Sequence, residues 1–403
     1  MGKKRSLYVF AAIMANLCRF VVAACFIFSG FIKAVDPVGT QIKMQDYMAA
    51  FGINGFIASD VLITACVLAG FEFFLGIYLL LGVYRNGSTL MALILTVIFT
   101  CLTLFLALKN PVSDCGCFGD FIVLTNWQTF YKNLILLAFV AYLMYGKRYF
   151  VPFVSPRRAW LVPVISILLI GHFMLSNIRS LPMFDFRPYK VGTDLRNEVL
   201  AGRDDAFSDF FLLDSVFQDR TADVLETKGY IFLLISPHLD DAEQENIDKI
   251  NDLYYYCKDA GYPMYGVTAS GRDEVTRWKT ITFAEYDFFH ADEIPLQTMI
   301  RSNPGVVVLR DGVIDAKWSD GDIPTDSELP GRMEQLRKAV PELSVMRNKI
   351  VFILLYFLLP YLILILMDVL GILADKHKVR FDLQTLKTNR NEKKNRSRKL
   401  EDE

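Results

Sequence analysis

Residues 8–32 read YVFAAIMANLCRFVVAACFIFSGFI, a run whose single charge is Arg19. About 20 apolar residues suffice to cross a bilayer, so this stretch is long enough to span one. It is too long for the apolar region of a cleaved leader and no small-residue cleavage site follows it, so it is expected to stay in the mature protein. Five further runs have the same character: Phe56–Gly82, Thr89–Leu108, Tyr131–Tyr145, Ala159–Leu175 and Lys349–Ile372. The composition agrees, since 53% hydrophobic residues in 403 and a mean hydropathy of +0.30 exceed what an ordinary soluble chain carries. The formal charge of -1 conceals a segregation, with basic residues crowded after Lys376 and acids between Asp194 and Asp326.

The basic residues orient the spans. Lys3, Lys4 and Arg5 precede the first, Arg85 joins the second and third, and Lys147, Arg148, Arg157 and Arg158 join the fourth and fifth. Positive loops stay in the cytoplasm, and six spans that start inside end inside, where the basic tail 373–403 then lies. This arrangement puts the loops Lys33–Gly55 and Lys109–Phe130, and the segment 176–348, on the outer side. In a Gram-negative cell that reads as an inner-membrane protein with cytoplasmic termini and a periplasmic segment. The expected division is a membrane bundle over 1–175, a soluble unit over 176–348, a last span at 349–372 and a basic tail at 373–403 attracted to anionic lipid.

The outer segment has the pattern of an α/β unit. Strands are expected at Phe210–Leu213, Gly229–Ser236 and Met264–Thr268, and helices at Asp241–Gly261 and Pro295–Arg301. A hairpin follows, Gly305–Leu309 and Val313–Trp318 around Asp311-Gly312. Strand, helix, strand, helix, hairpin is the order of a thioredoxin-like fold. Asn303-Pro304 stands where that fold places a cis-proline, and X–Pro bonds tolerate the cis form cheaply.

Three elements together carry a resemblance: Arg19 to Lys33 (RFVVAACFIFSGFIK), Glu72, and the loop Asp114-Cys115-Gly116-Cys117-Phe118-Gly119. Over residues 8 to 146 the chain resembles the DoxX/MauE-like family of membrane proteins, the Cys-Gly-Cys-Phe-Gly element being the mark of the MauE side. The outer segment resembles the thioredoxin-like domain attached to such cores in Bacteroidetes. The resemblance implies periplasmic disulfide chemistry or quinone-linked sulfur oxidation, with a quinone as the one cofactor it suggests. Where an active thioredoxin carries Cys-x-x-Cys, this chain has Ser236-Pro237-His238-Leu239, which speaks against dithiol exchange by the outer unit.

Cys115 and Cys117 sit in a non-cytoplasmic loop, where a disulfide persists, and Gly116 gives the backbone freedom to close the small ring. Such a ring is strained and therefore exchangeable, while Asp114 and Asp120 disfavour the thiolates. A static disulfide and a soft-metal site are the competing readings of the same pair. Arg19 and Glu72 are the deepest charges, and counting from Tyr8 and Gly82 puts both about 15 Å from the inner face, so they are expected to pair. That pair is either a structural bridge or the polar floor of a quinone or proton site. Lys33 and Asp36, at the mouth of the first span, border an outer-facing cavity or, for the lysine, snorkel to headgroups.

Cys18, Cys25, Cys66 and Cys101 read first as packing residues, with Cys25 and Cys101 as the two placed to exchange with the loop pair. His238 with its neighbouring acids reads as helix-start chemistry rather than a metal site. The groove beside Asn303 and Pro304 is the candidate surface for a periplasmic or inner-membrane protein partner. No Walker or Rossmann loop, zinc-protease motif or Ser-His-Asp order appears, and nothing points to nucleic acid. Two functions stand side by side: a thiol-redox component of the membrane, and a non-enzymatic anchor that docks an envelope complex.

Overall fold

Backbone N–H and C=O groups find no water inside a bilayer, so long apolar runs satisfy them internally as helices. The computed structural model describes residues 2–53, 58–111, 116–202, 207–325, 328 and 346–374. It has α1 (Gly2–Val35), a shorter α2 (Pro37–Ala50), α3 (Ala58–Leu81), α4 (Arg85–Lys109), α5 (Asn126–Gly146) and α6 (Leu161–Arg179). Six helices among the described residues are long and apolar enough to span a membrane, these five long ones and a last helix at Met346–Ala374. All six expected spans are present.

The bundle is built on α1 against α3. A Cβ on Gly30 would lie 2.5 Å from the Phe73 nitrogen, and one on Gly76 2.6 Å from the Ile27 nitrogen, so the two backbones touch. Small residues at such crossings are how helices associate in lipid, where burial of apolar surface drives nothing. Between α4 and α5, Asn133 Nδ2 donates to Thr103 Oγ1 at 3.2 Å.

The loop expected at Lys33–Gly55 is instead largely α2. Asp36 caps it by accepting the Gly39 N–H at 2.8 Å, and Pro37 takes the first helical position, where its missing N–H costs nothing. Asp-Pro was the legible signal for this helix.

Beyond α6 lies the α/β part, comprising α7 (Leu195–Leu200), α8 (Thr221–Leu225), β1 (Tyr230–Ile235), α9 (Ile247–Ala260), β2 (Met264–Thr268), α10 (Arg272–Thr282), β3 (Asp287–His290), α11 (Glu293–Met299), β4 (Gly305–Arg310) and β5 (Val313–Ser319). The sheet order is β3-β2-β1-β4-β5, with β1, β2 and β3 parallel and β4 and β5 antiparallel to their neighbours. Every residue of β1 is buried because both faces are covered. Ile231, Leu233 and Ile235 meet Leu195, Leu225 and Leu296 on one face, and Phe232 and Leu234 meet Leu253, Cys257 and Trp278 on the other. With the cis bond at Asn303–Pro304 just before β4, this is a thioredoxin-like fold.

Two expectations need correction. Phe210–Leu213 is not a strand of the sheet; Leu213 alone forms isolated bridges, to Asp219 and His290. The α9 helix starts at Ile247 rather than Asp241, because Leu239–Asp241 is a separate 3-10 turn. The reading missed α10 and the four-residue edge strand β3, which is too short to show a period.

The last helix, α12 (Met346–Ala374), is fixed to its neighbours by polar contacts. The Ser166 and Tyr361 hydroxyls are 2.6 Å apart. Asp368, buried, accepts from the Ser155 N–H at 2.7 Å, the Ser155 hydroxyl at 2.7 Å and Arg158 Nη1 at 2.9 Å. The expected tail 373–403 lies outside the described residues beyond Ala374.

Candidate functional site

On a helix, positions i, i+4 and i+8 share one face, and α1 puts Cys25, Ser29 and Lys33 in such a stripe near its C-terminal end. Lys33 Nζ donates to both oxygens of Glu72 at 3.0 and 2.8 Å, to Ser29 Oγ at 2.7 Å and to the Cys117 carbonyl at 3.2 Å. Ser29 Oγ in turn donates to the same carbonyl at 3.0 Å. Glu72 is wholly buried and Lys33 nearly so, so each charge is compensated by the other. This cluster ties α1, α3 and the cysteine loop into one unit.

Glu72 therefore pairs with Lys33 and not with Arg19. Arg19 lies at the other end of α3: its Nη1 would sit 2.8 Å from a Cβ on Gly82, ten residues or about 15 Å along the helix from Glu72. The depth count placed both residues level because it set Tyr8 beside Gly82, whereas the residue of α1 that packs beside Gly82 is Arg19. Its Nη1 donates to the Val151 carbonyl at 2.8 Å, and its guanidinium lies over the rings of Phe20, Phe150 and Phe153 at 4.7, 5.2 and 5.5 Å. Arg19 is thus a wedge at the end of the bundle away from the cysteine loop.

A cavity of about 180 Å³ opens under that loop. Its walls are mostly apolar, with Phe26, Leu68, Phe99, Leu102 and Leu136, and its rim carries Lys33, Lys43, Tyr47 and Lys132. Cys25, Gly116, Cys117 and Phe118 border it as well. Gly116 has φ +58°, the left-handed region that a residue between two such cysteines enters at low cost only as glycine. Phe118 packs on Phe28 at 5.3 Å and under the Lys132 ammonium at 4.2 Å. Cys115 itself lies outside the described residues.

Of the other membrane cysteines, Cys18 is buried in the bundle, Cys66 packs against the neighbouring cluster and Cys101 is exposed on the bundle's outer surface. In the α/β part, burial pushes the Cys257 thiol up to about 12, which leaves it unreactive.

A second cavity, of about 330 Å³, lies between the bundle and the α/β part and shares Thr40, Lys43 and Gly116 with the first. Across it Arg301 grips Asp36, with Nε at 3.2 and 3.1 Å from the two carboxylate oxygens and Nη2 at 3.0 Å from one of them. Burial alone would lift the Asp36 carboxyl, but the Arg301 and Arg187 guanidiniums outweigh it and hold the group below the usual carboxylate range. Behind this clamp Asp185 binds Arg187 at 3.0 Å and Lys317 at 2.7 Å. Burial pushes the Lys317 amine down to about 8.

In the thioredoxin-like part, the position of the missing thiols is closed by side chains. Ser236 Oγ donates to Asn303 Oδ1 at 2.6 Å, and Asn303 Nδ2 donates to the His238 carbonyl at 2.8 Å. The Asn303 carbonyl accepts the Glu243 N–H at 2.8 Å, and Pro304 is buried. A strand pairing beside Pro304 would have to displace these bonds. His238 Nε2 meets Glu293 at 3.0 Å, a local pair on the surface.

These features define a helical membrane bundle with a loop-borne cysteine site, joined to a thioredoxin-like part without a Cys-x-x-Cys pair. Residues 11–146, which run from α1 to the end of α5, match the family described as Methylamine utilisation protein MauE, so the membrane part is MauE-like. No curated protein matches the chain. Among solved structures it is similar to that of a candidate protein disulfide isomerase from Bacteroides thetaiotaomicron, at 15% identity over 32% of this chain and 84% of that one, with a TM-score of 0.25. It is also similar to the bacterioferritin comigratory protein of Xanthomonas campestris, at 11% identity over 28% and 83% with a TM-score of 0.22. Peroxiredoxin Q of the same organism gives 13% over 28% and 82%, again with a TM-score of 0.22.

Proposed function

We propose that the protein is a thiol–disulfide redox component of the inner membrane, in which Cys115 and Cys117 cycle between dithiol and disulfide. The observation that carries this reading is the fixing of Cys117 by Lys33 and Ser29 at the mouth of a largely apolar cavity. Two donors on one rigid helix return the Cys117 backbone to the same place in each turn of the cycle. Buried Glu72 keeps the Lys33 ammonium charged and aimed. The basic loops then put this end of the bundle, and the α/β part with it, on the periplasmic side, with both termini in the cytoplasm.

A lipid-soluble quinone bound in the cavity would supply or accept the two electrons and two protons that the cysteine pair exchanges. The apolar side chains of Phe26, Phe99 and Leu136 suit a flat ring, and the ammonium and hydroxyl groups at the rim suit its oxygens. Glu72 acts through Lys33, and Arg19 takes no part. The α/β part, whose one described cysteine, Cys257, is buried, recruits the protein whose cysteines exchange with the loop.

The test is the full-length protein in liposomes, with a ubiquinone or menaquinone added to the reduced form. Loss of the Cys115 and Cys117 thiols with stoichiometric appearance of quinol is expected, and Cys117→Ser should abolish it. A pair whose thiol content ignores the quinone sinks the reading.

A further inference from the structure

We propose that the cavity between the bundle and the α/β part binds an amphiphile at the membrane surface, its oxyanion head on Arg187 and Arg301 and its apolar body along Ile32, Ile42, Phe184 and Phe186. All six residues border the cavity, whose volume of about 330 Å³ is in the range of small-molecule sites. The site uses no cysteine, so it stands whether or not the loop thiols cycle.

Charge is the first observation. Among the described residues, Lys43, Arg187 and Arg301 border the cavity with Asp36 and Asp46, and Lys317 is tied to Arg187 through Asp185, so four cations face three carboxylates. Arg187, Arg301 and Lys317 are 4, 6 and 4% exposed, whereas Asp36 and Asp185 are 21 and 22% exposed, so the positive members are the buried ones. Burial, and after it the Arg301 charge, hold the Arg187 guanidinium below its ordinary value. Positive charge in excess and out of water is costly until an anion joins it.

The second observation is a donor left over. Arg187 Nε donates to Asp185 at 3.0 Å, and Nη1 donates to the Thr298 carbonyl at 2.8 Å and the Gln297 carbonyl at 3.4 Å. Its Nη2 makes no hydrogen bond among the described residues, although the side chain is buried and borders the cavity. The other edges of the guanidinium are pinned, so this nitrogen is held ready for an oxygen of a carboxylate or phosphate.

The third is position. The first span ends at Val35, so Ile32 lies in its last turn, and Asp36 with the cavity beyond it stands at the level of lipid headgroups. The Phe184 and Phe186 rings stack at 5.7 Å and Phe186 packs on Phe121 at 4.8 Å, which gives the cavity a fixed apolar wall. A cationic floor beside an apolar wall at that level suits an anionic head with a hydrocarbon body, the phosphate of a phospholipid or the carboxylate of a fatty acid.

The test is calorimetric titration of the full-length protein in a neutral maltoside detergent with dihexanoyl phosphatidylglycerol, octanoate and inorganic phosphate. At least one of the two amphiphiles should bind at a single site, about tenfold or more tighter than inorganic phosphate, and the tighter of the two assigns the head to phosphate or carboxylate. Arg187→Gln should weaken that binding about tenfold or more. Ile42→Glu, which adds a carboxylate to the wall without touching Arg187 or the Asp36–Arg301 clamp, should do the same at an unchanged thermal midpoint of the ligand-free protein, and it decides the matter if Arg187→Gln fails to fold. Absence of saturable amphiphile binding, inorganic phosphate that binds as tightly as the amphiphiles, or affinity unchanged in Ile42→Glu overturns the proposal.

Discussion

The cysteine loop over the bundle and the Ser236–Leu239 turn of the α/β part make an instructive pair. The second belongs to a fold that often carries dithiol chemistry, yet its places for thiols are filled by Ser236 and Leu239, and Asn303 bonds Ser236 and the His238 carbonyl across the turn. The first belongs to an ordinary helical bundle, yet it has the thiols, an apolar cavity and a set of cations. Chemistry follows the residues of a site and not the name of a fold. The two regions also differ in how they are held, one by a buried ion pair inside the bundle, the other by the Asp36–Arg301 clamp between the two parts.

The largest effect that can break this comparison comes from the buried pair. Glu72→Ala leaves the Lys33 charge uncompensated and should cost about 3–5 kcal/mol of bundle stability, read as loss of folded protein in detergent. Adding Lys33→Met should restore most of it, and the same cycle with Arg19→Ala should show additive losses. Coupling between Arg19 and Glu72 instead would contradict the placement of both residues.

Next comes the clamp. Arg301→Ala should cost about 1.5–3 kcal/mol, seen as roughly ten- to hundredfold faster proteolysis of the segment that joins α6 to the α/β part. The clamp's dependence on pH has a definite sign. The Asp36 carboxyl is lower in the folded protein than its ordinary 3.8, so the clamp contributes in full above about pH 4 and is lost as pH falls through the depressed value. Proteolytic protection that disappears between pH 6 and 7 would be inconsistent with this.

A smaller effect sharpens the contrast itself. Asn303→Ala strips Ser236 and the His238 carbonyl of a partner and should destabilise the α/β part by about 1–3 kcal/mol in thermal unfolding. It should leave the redox state of Cys117 untouched, because the backbone of that residue is held by Ser29 and Lys33 of α1.

Much of this was legible in the sequence. Hydropathy located the spans because lipid forces long apolar runs into helices. The buried β1 and the hairpin at Asp311-Gly312 announced the α/β fold, and the loop cysteines and the mouth position of Lys33 pointed to the site. The partner of Glu72 was not legible, since depth along one helix says nothing about which residue of another helix faces it; that is set by the Gly30 and Gly76 crossing. Nor was the cavity, whose walls come from α1, α2, α3, α4 and α5 together, nor the role of Asn303, which depends on a contact with residues 65 and 67 positions away.

The central claim is that Cys115 and Cys117 change state in the membrane. Cells expressing the full chain would be acid-quenched, their free thiols alkylated with a heavy maleimide, and the mass shift read before and after depletion of the respiratory quinone pool. The account predicts a mixed population that moves toward the dithiol when quinone is withdrawn. A disulfide that stays fully formed whatever the quinone level would contradict it and leave the pair as a static bridge.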